Sequence, residues 1–150
     1  MYIFSFWKTP ALFISVEPHA ANCLFRSIQT GDRVSVDNDS TTAMAGLDCG
    51  TVSTEAWKIL KYGIYGALSI SDSLMEEAVR VLAHPLKNDI KIISGESGAS
   101  PLAALIGLLK STEYDDFRKA IKLNNRSNIL LINTEGDTDS VNYEQILRGV

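Results

Sequence analysis

From Leu12 onward, the chain sets short apolar runs against stretches whose apolar residues recur every three or four positions, with polar turns between them. This alternation constrains the fold more than any other feature of the sequence. Leu12 to Val16, closed by Glu17-Pro18, reads as a buried strand that ends where proline cannot donate a further ladder bond. Ala20 to Gln29 carries Ala20, Leu24 and Ile28 at fourfold spacing and predicts a helix stopped by Gly31. Val34 and Val36 suggest a short strand that runs into a polar loop between Asp37 and Thr42. A helix is expected over Thr54 to Tyr62, stopped by Gly63, with a strand following in Ala67 to Ile70.

Ser73-Leu74-Met75-Glu76 has the form of a capping box, and Met75, Ala78, Val79 and Leu82 then mark a helix that ends before Pro85. Ile90 to Ile93 is expected to be a strand leading into Ser94-Gly95-Glu96-Ser97-Gly98. An apolar helix through Ala99, Leu102, Leu105 and Leu109 follows, with Pro101 suited to its first turn. Asp115 to Leu123 predicts a shorter helix, Asn128 to Ile132 a final strand, and Asp139 or Ser140 an N-cap for a helix through Ile146. Strands alternating with helices along the whole chain imply the α/β class, with a mostly parallel sheet and flanking helices.

With 150 residues, 45% hydrophobic and 21% charged, the chain can bury the core of one ordinary domain. Fourteen basic residues stand against 18 acidic ones, and their scatter argues against nucleic acid or an anionic membrane as a partner. Lys8 and Pro10 interrupt the apolar opening segment, so neither an export signal nor a membrane span is expected and the cytoplasm is the default compartment. Cys23 and Cys49 are too few for a disulfide scaffold or a structural zinc site. His19 and His84 are lone histidines, so no metal is expected. Trp7, Trp57, Tyr62 and Tyr65 read as core or interface aromatics.

In open α/β sheets, ligands bind at the carboxyl ends of strands. Two of the expected strands end in polar turns: Ser94 to Gly98, and Thr134-Glu135-Gly136-Asp137-Thr138-Asp139. The glycines of the first turn permit close backbone approach, and N–H groups at the following helix start could meet an anion, although Glu96 would oppose a phosphate. Ordinary capping and a solvated turn account for the same residues equally well. The spacing fits neither the phosphate-loop nor the dinucleotide fingerprint. On residue chemistry alone, the chain is a small-molecule α/β domain.

The ordered segments "VEPHAANCLFRS", "TTAMAGLDCG", "AWKIL", "HPLKNDIKIISGESGA" and "LLINTEGDTD" carry more. From about Leu12 to the C-terminus, the chain resembles the C-terminal part of the diaminopropionate ammonia-lyases, pyridoxal-phosphate enzymes related to threonine dehydratase and the tryptophan synthase beta chain. The resemblance implies the C-terminal portion of a tryptophan synthase beta-like fold and pyridoxal 5'-phosphate as cofactor. It places the Thr134 hydroxyl against the cofactor's pyridine nitrogen, and Glu96, Ser97 and Gly98 in the wall of the cofactor or substrate pocket. A neutral hydroxyl cannot hold the ring nitrogen protonated as a carboxylate would, which suits β-elimination. Glu96 could equally cap a helix start. Ser100-Pro101-Leu102 departs from the small, glycine-containing stretch expected there.

In such enzymes, a Schiff-base lysine and a glycine-rich phosphate loop precede the matched region. None of Lys8, Lys58, Lys61, Lys87, Lys91, Lys110, Lys119 and Lys122 sits in a context resembling the Schiff-base motif. Residues 1–150 are therefore expected to form a single incomplete catalytic region, with no catalytic residue of its own and very low unaided activity. The implied reaction of the intact enzyme is α,β-elimination of 2,3-diaminopropionate to pyruvate and ammonia, in amino-acid catabolism. The implied partners are a small amino-acid substrate, a second copy in a homodimer of the intact enzyme, or a complementary N-terminal half. Cys23 and Cys49 fall in matched segments and could pair near the site entrance or remain reduced thiols. A non-catalytic interaction module, a decayed fragment, and an anion-binding domain using the "GESG" turn are the rival readings.

Overall fold

The computed structural model describes residues 11–37 and 41–149. The expectations for the N-terminal apolar segment, including Trp7, Lys8 and Pro10, and for the centre of the polar loop lie outside the described residues. Among the described residues two strands form, β1 (Ile14–Pro18) and β2 (Gly66–Ile70). They pair in parallel, with Val16 opposite Leu68 and Glu17 opposite Ser69. Six α-helices accompany them: α1 (Cys23–Thr30), α2 (Thr54–Gly63), α3 (Asp72–Ala83), α4 (Glu96–Lys110), α5 (Asp115–Ala120) and α6 (Ser140–Arg148). The expected α/β class, with a parallel sheet and flanking helices, is what the chain adopts.

The period of two along a strand divides the sheet's side chains between its faces. Ile14, Val16, Leu68 and Ile70 join Met75, Val79, Ala99, Ala103 and Leu108 of α3 and α4 in the main core. Glu17 and Ser69 turn the other way, toward α1 and the 3-10 turn at His19–Ala21. β2 is buried at all five positions, as expected of a parallel strand covered on both faces. α6 adds Tyr143 and Ile146 to the core, and Arg80 of α3 donates to the Ile146 carbonyl at 3.1 Å.

Five sequence expectations are corrected. Val34 and Val36 do not lie in a strand: only a single antiparallel bridge, Ser35 to Thr51, forms there. Ile90 to Ile93 and Asn128 to Ile132 have the apolar composition of strands but no ladder partner among the described residues, and a strand exists only against a neighbour. The cap of α3 is Ser71, in extended backbone, whose side chain accepts from the Leu74 N–H; the box read at Ser73 lies inside the helix. α4 starts at Glu96, which makes Pro101 its sixth residue instead of part of its first turn. There the ring removes one bond to the carbonyl four residues back.

Candidate functional site

The two polar turns singled out in the sequence meet. The residues that precede α4, Ser94 and Gly95, lie against Asn133, Glu135 and Gly136, just after the apolar 128–132 run. Glu135 makes the junction. One of its carboxylate oxygens accepts from the N–H groups of Ser97 (2.8 Å) and Gly98 (3.2 Å), and its backbone carbonyl accepts from the Gly95 N–H at 3.2 Å. The other carboxylate oxygen accepts from the Thr138 hydroxyl at 3.0 Å. The first N–H groups of a helix have no partner within it and carry partial positive charge, so a carboxylate there satisfies them and the helix dipole together.

Glycine is required for this contact. A Cβ on Gly98 would stand 2.1 Å from the Asn133 side-chain oxygen and 2.8 Å from the Glu135 carbonyl, and one on Gly95 would stand 2.3 Å from the Gly136 carbonyl. That Asn133 oxygen also accepts from the Ser94 hydroxyl at 3.2 Å and from the Glu135 N–H at 3.1 Å. The N–H groups of Gly95, Ser97 and Gly98, which the helix itself leaves without acceptors, thus find them all in the facing turn.

A third segment joins from the other side. The Ser97 hydroxyl accepts from the Gly46 N–H at 3.0 Å, so "AMAGL" crosses the start of α4. Asp72 anchors that segment, accepting from the Thr42 hydroxyl at 2.7 Å and the Ala43 N–H at 2.9 Å. Met44, between the two attachments, is fully buried.

The four site residues proposed from the sequence take different positions in this frame. Ser97 and Gly98 lie at the interlock, with their N–H groups committed to Glu135. Glu96 is buried and its carboxylate accepts from the Asn142 side chain of α6. Thr134 is exposed, and no hydrogen bond engages its side chain among the described residues. The anion position anticipated at the "GESG" turn is filled by the chain's own Glu135. Sequence reasoning missed Glu135, Asn133 and Asp72. The signal for the first was a carboxylate placed between Thr134 and Gly136, which also suits a solvated turn.

The carboxyl end of β1 carries a second buried carboxylate. Glu17 accepts from the N–H groups of Leu24 (3.0 Å) and Phe25 (2.6 Å), which caps α1 from the neighbouring strand. Burial raises its pKa above the ordinary 4.5, and the two backbone bonds offset part of that rise. Cys23 donates to the same carboxylate at 3.7 Å; burial, with the nearby Glu17 charge, pushes its thiol up to about 11. Both cysteines are free thiols, Cys23 buried and Cys49 exposed. No cluster of metal-binding side chains occurs among the described residues, and no described helix is long and apolar enough to cross a membrane.

Comparison with known proteins places this geometry. The chain is 40% identical over 134 residues to the diaminopropionate ammonia-lyase of Escherichia coli K12, a match that takes in 89% of the chain and 34% of the relative. The enzyme of that name from Salmonella typhimurium is 38% identical over 137 residues, with the same shares covered. The chain therefore spans about a third of the length of these curated relatives, the C-terminal part. The crystal structure of the Escherichia coli enzyme in complex with an aminoacrylate-PLP azomethine reaction intermediate superposes with a TM-score of 0.80 at 38% identity, over 89% of this chain and 33% of that one. A T.th. threonine deaminase superposes with a TM-score of 0.59 at 28% identity, over 65% of this chain and 34% of that one. A scan of protein-family models finds none that matches.

Proposed function

We propose, from its kinship with the C-terminal third of the diaminopropionate ammonia-lyases, that this chain forms one wall of a pyridoxal-phosphate site for α,β-elimination of 2,3-diaminopropionate to pyruvate and ammonia. The observation that carries the reading is Thr134. Its hydroxyl is exposed and uncommitted, while the residues on either side of it, Asn133 and Glu135, are fastened to the start of α4. A free donor and acceptor on a rigidly held turn fits a ligand's ring nitrogen.

Bound pyridoxal phosphate would supply the electron sink that makes a proton next to a carbonyl removable. The work of this chain is to bind and orient. Thr134 would meet the ring nitrogen without charge, and Glu96, Ser97 and Gly98 would frame the wall beside it. The Ser97 and Gly98 N–H groups already hold Glu135 and are not available to a phosphate.

Every described lysine is exposed, and Lys58, Lys110 and Lys119 pair with Glu55, Glu77 and Asp116. An amine activated for covalent catalysis is instead desolvated or set beside another cation. The complete site therefore needs the part of the fold that lies in the two thirds of the relatives outside the matched region. In this reading, residues 1–150 are one incomplete catalytic region in the cytoplasm, completed by a complementary N-terminal half in an assembly whose intact form is a homodimer.

Titration with pyridoxal phosphate, with a borohydride trap and a pyruvate assay, tests the proposal. The chain alone should show no bound-cofactor absorbance and release no pyruvate. Mixed with the N-terminal part of a diaminopropionate ammonia-lyase, it should show both. Bound cofactor in neither sample would favour the rival reading, a non-catalytic interaction module or a decayed fragment.

A further inference from the structure

The carboxyl ends of β1 and β2 open on a cavity that the proposed pyridoxal-phosphate wall does not use. His19 follows the last residue of β1 and Ser71 the last of β2, and both line a space of about 490 Å³ together with Lys110 and the turn Thr112–Tyr114. The volume is that of a small-molecule pocket, and the carboxyl ends of strands in open α/β sheets are where such ligands sit. Ser69, buried one residue before the end of β2, fixes the groups at its edge. Its hydroxyl lies 2.8 Å from His19 Nδ1 and accepts from the Asn22 side-chain amide at 3.3 Å, and its backbone carbonyl accepts from the Tyr114 hydroxyl at 3.2 Å. The Asn22 oxygen is taken by Arg26, so its nitrogen faces Ser69. A hydroxyl has one proton to give, and of these two neighbours only Nδ1 can accept it. The neutral His19 ring therefore carries its proton on Nε2, a donor that no side chain engages among the described residues.

We propose that this cavity binds a small amino acid as its zwitterion, an inference independent of the lyase reading. Charge decides the ligand class. The Nε2–H of His19 and the Lys110 ammonium suit a carboxylate. Glu77 of α3 pairs with Lys110 but takes only part of its donor capacity, since an ammonium has three N–H groups. The Glu113 carboxylate lines the same space, and no ion pair or hydrogen bond engages it among the described residues. It suits an ammonium. A plain anion would meet Glu113 as a like charge and a plain cation would meet Lys110 in the same way, whereas a molecule carrying both signs satisfies both. The Thr112 hydroxyl, also unengaged among the described residues, offers a partner to a short polar side chain.

The test titrates the full chain, free of pyridoxal phosphate, with L-serine and follows backbone amide and histidine ring signals by NMR. Saturable shifts should appear at His19, Ser71 to Leu74 and Thr112 to Tyr114. Ethanolamine, which lacks the carboxylate, and glycerate, which lacks the amine, should bind about tenfold more weakly or worse. Glu113→Gln should weaken L-serine about tenfold while glycerate binds no less tightly than before. Glu113 is exposed and its side chain unpaired among the described residues, so the fold should tolerate that change. His19→Gln should weaken L-serine as well, with the amide spectrum reporting that the fold is kept. Lys58→Ala, on the exposed side of α2, should leave binding unchanged. The absence of saturable shifts overturns the proposal, as do shifts centred on Thr134. Glycerate binding as tightly as L-serine overturns it in favour of a simple anion site.

Discussion

Gly66–Ile70 and Asn128–Ile132 look alike in sequence, each a short apolar run ending in a polar turn, yet they fare differently in the folded chain. The first is buried at every position and laddered to β1. The second is exposed at every position and has no ladder partner among the described residues. Composition gives a segment the capacity to be a strand; a neighbour with free backbone groups decides whether it becomes one. β1 stands between the two cases, paired on one edge and only half-buried over Ile14 to Val16.

The widest contrast should appear on truncating one residue in each run. Ile70→Ala, at a site 1% exposed, should cost about 2–5 kcal/mol in denaturant unfolding. Leu130→Ala should stay within about 0.5 kcal/mol. Equal losses would mean that 128–132 is packed in solution and the comparison is mistaken.

A smaller effect should show that the end of the exposed run is held although the run itself is not. Gly98→Ala drives a methyl group into the Asn133 side chain and the Glu135 carbonyl, and should destabilise the chain by about 1–3 kcal/mol. Glu135→Gln keeps the side chain's shape but removes its charge from the start of α4, and should cost about 1 kcal/mol. Indifference to both changes, measured by thermal unfolding, would detach the turn from the helix.

The least of these effects concerns the carboxyl end of β1. Folding holds the Glu17 proton more tightly than the unfolded chain does, so folding takes up a proton between the ordinary 4.5 and the raised value. Stability from this group therefore falls as pH rises through the window just above 4.5. Glu17→Gln should flatten that part of the stability profile. A slope that persists in the variant would assign it to another group.

Much of the fold was legible because local signals agreed with the final packing. Gly31 stops α1 in the left-handed conformation, α2 spans the expected residues with Gly63 as its last, β2 lies where "ALSI" placed it, and Asp139 caps α6. The strands expected at Ile90 and Asn128 failed for want of a partner, which no periodicity reveals. The α3 cap lies at Ser71 instead of Ser73, and Asp72 in the first turn accepts from the Thr42–Ala43 segment, far back along the chain, a contact no local pattern reveals. For the candidate site, both turns stood out as polar and glycine-rich, but their meeting through Glu135 did not. A glutamate between a threonine and a glycine reads as solvated until the facing helix start is in view.

In the proposed site, a firmly held turn presents the free hydroxyl of Thr134 to the pyridoxal-phosphate ring. The most direct test is pyridoxal-phosphate binding by the chain carrying Thr134→Val, which keeps the side chain's shape and removes its hydroxyl, mixed with the N-terminal part of a diaminopropionate ammonia-lyase. Cofactor affinity should fall about tenfold with an altered absorbance spectrum, while complex formation is unchanged. Affinity and spectrum identical to those of the unaltered assembly would contradict the claim.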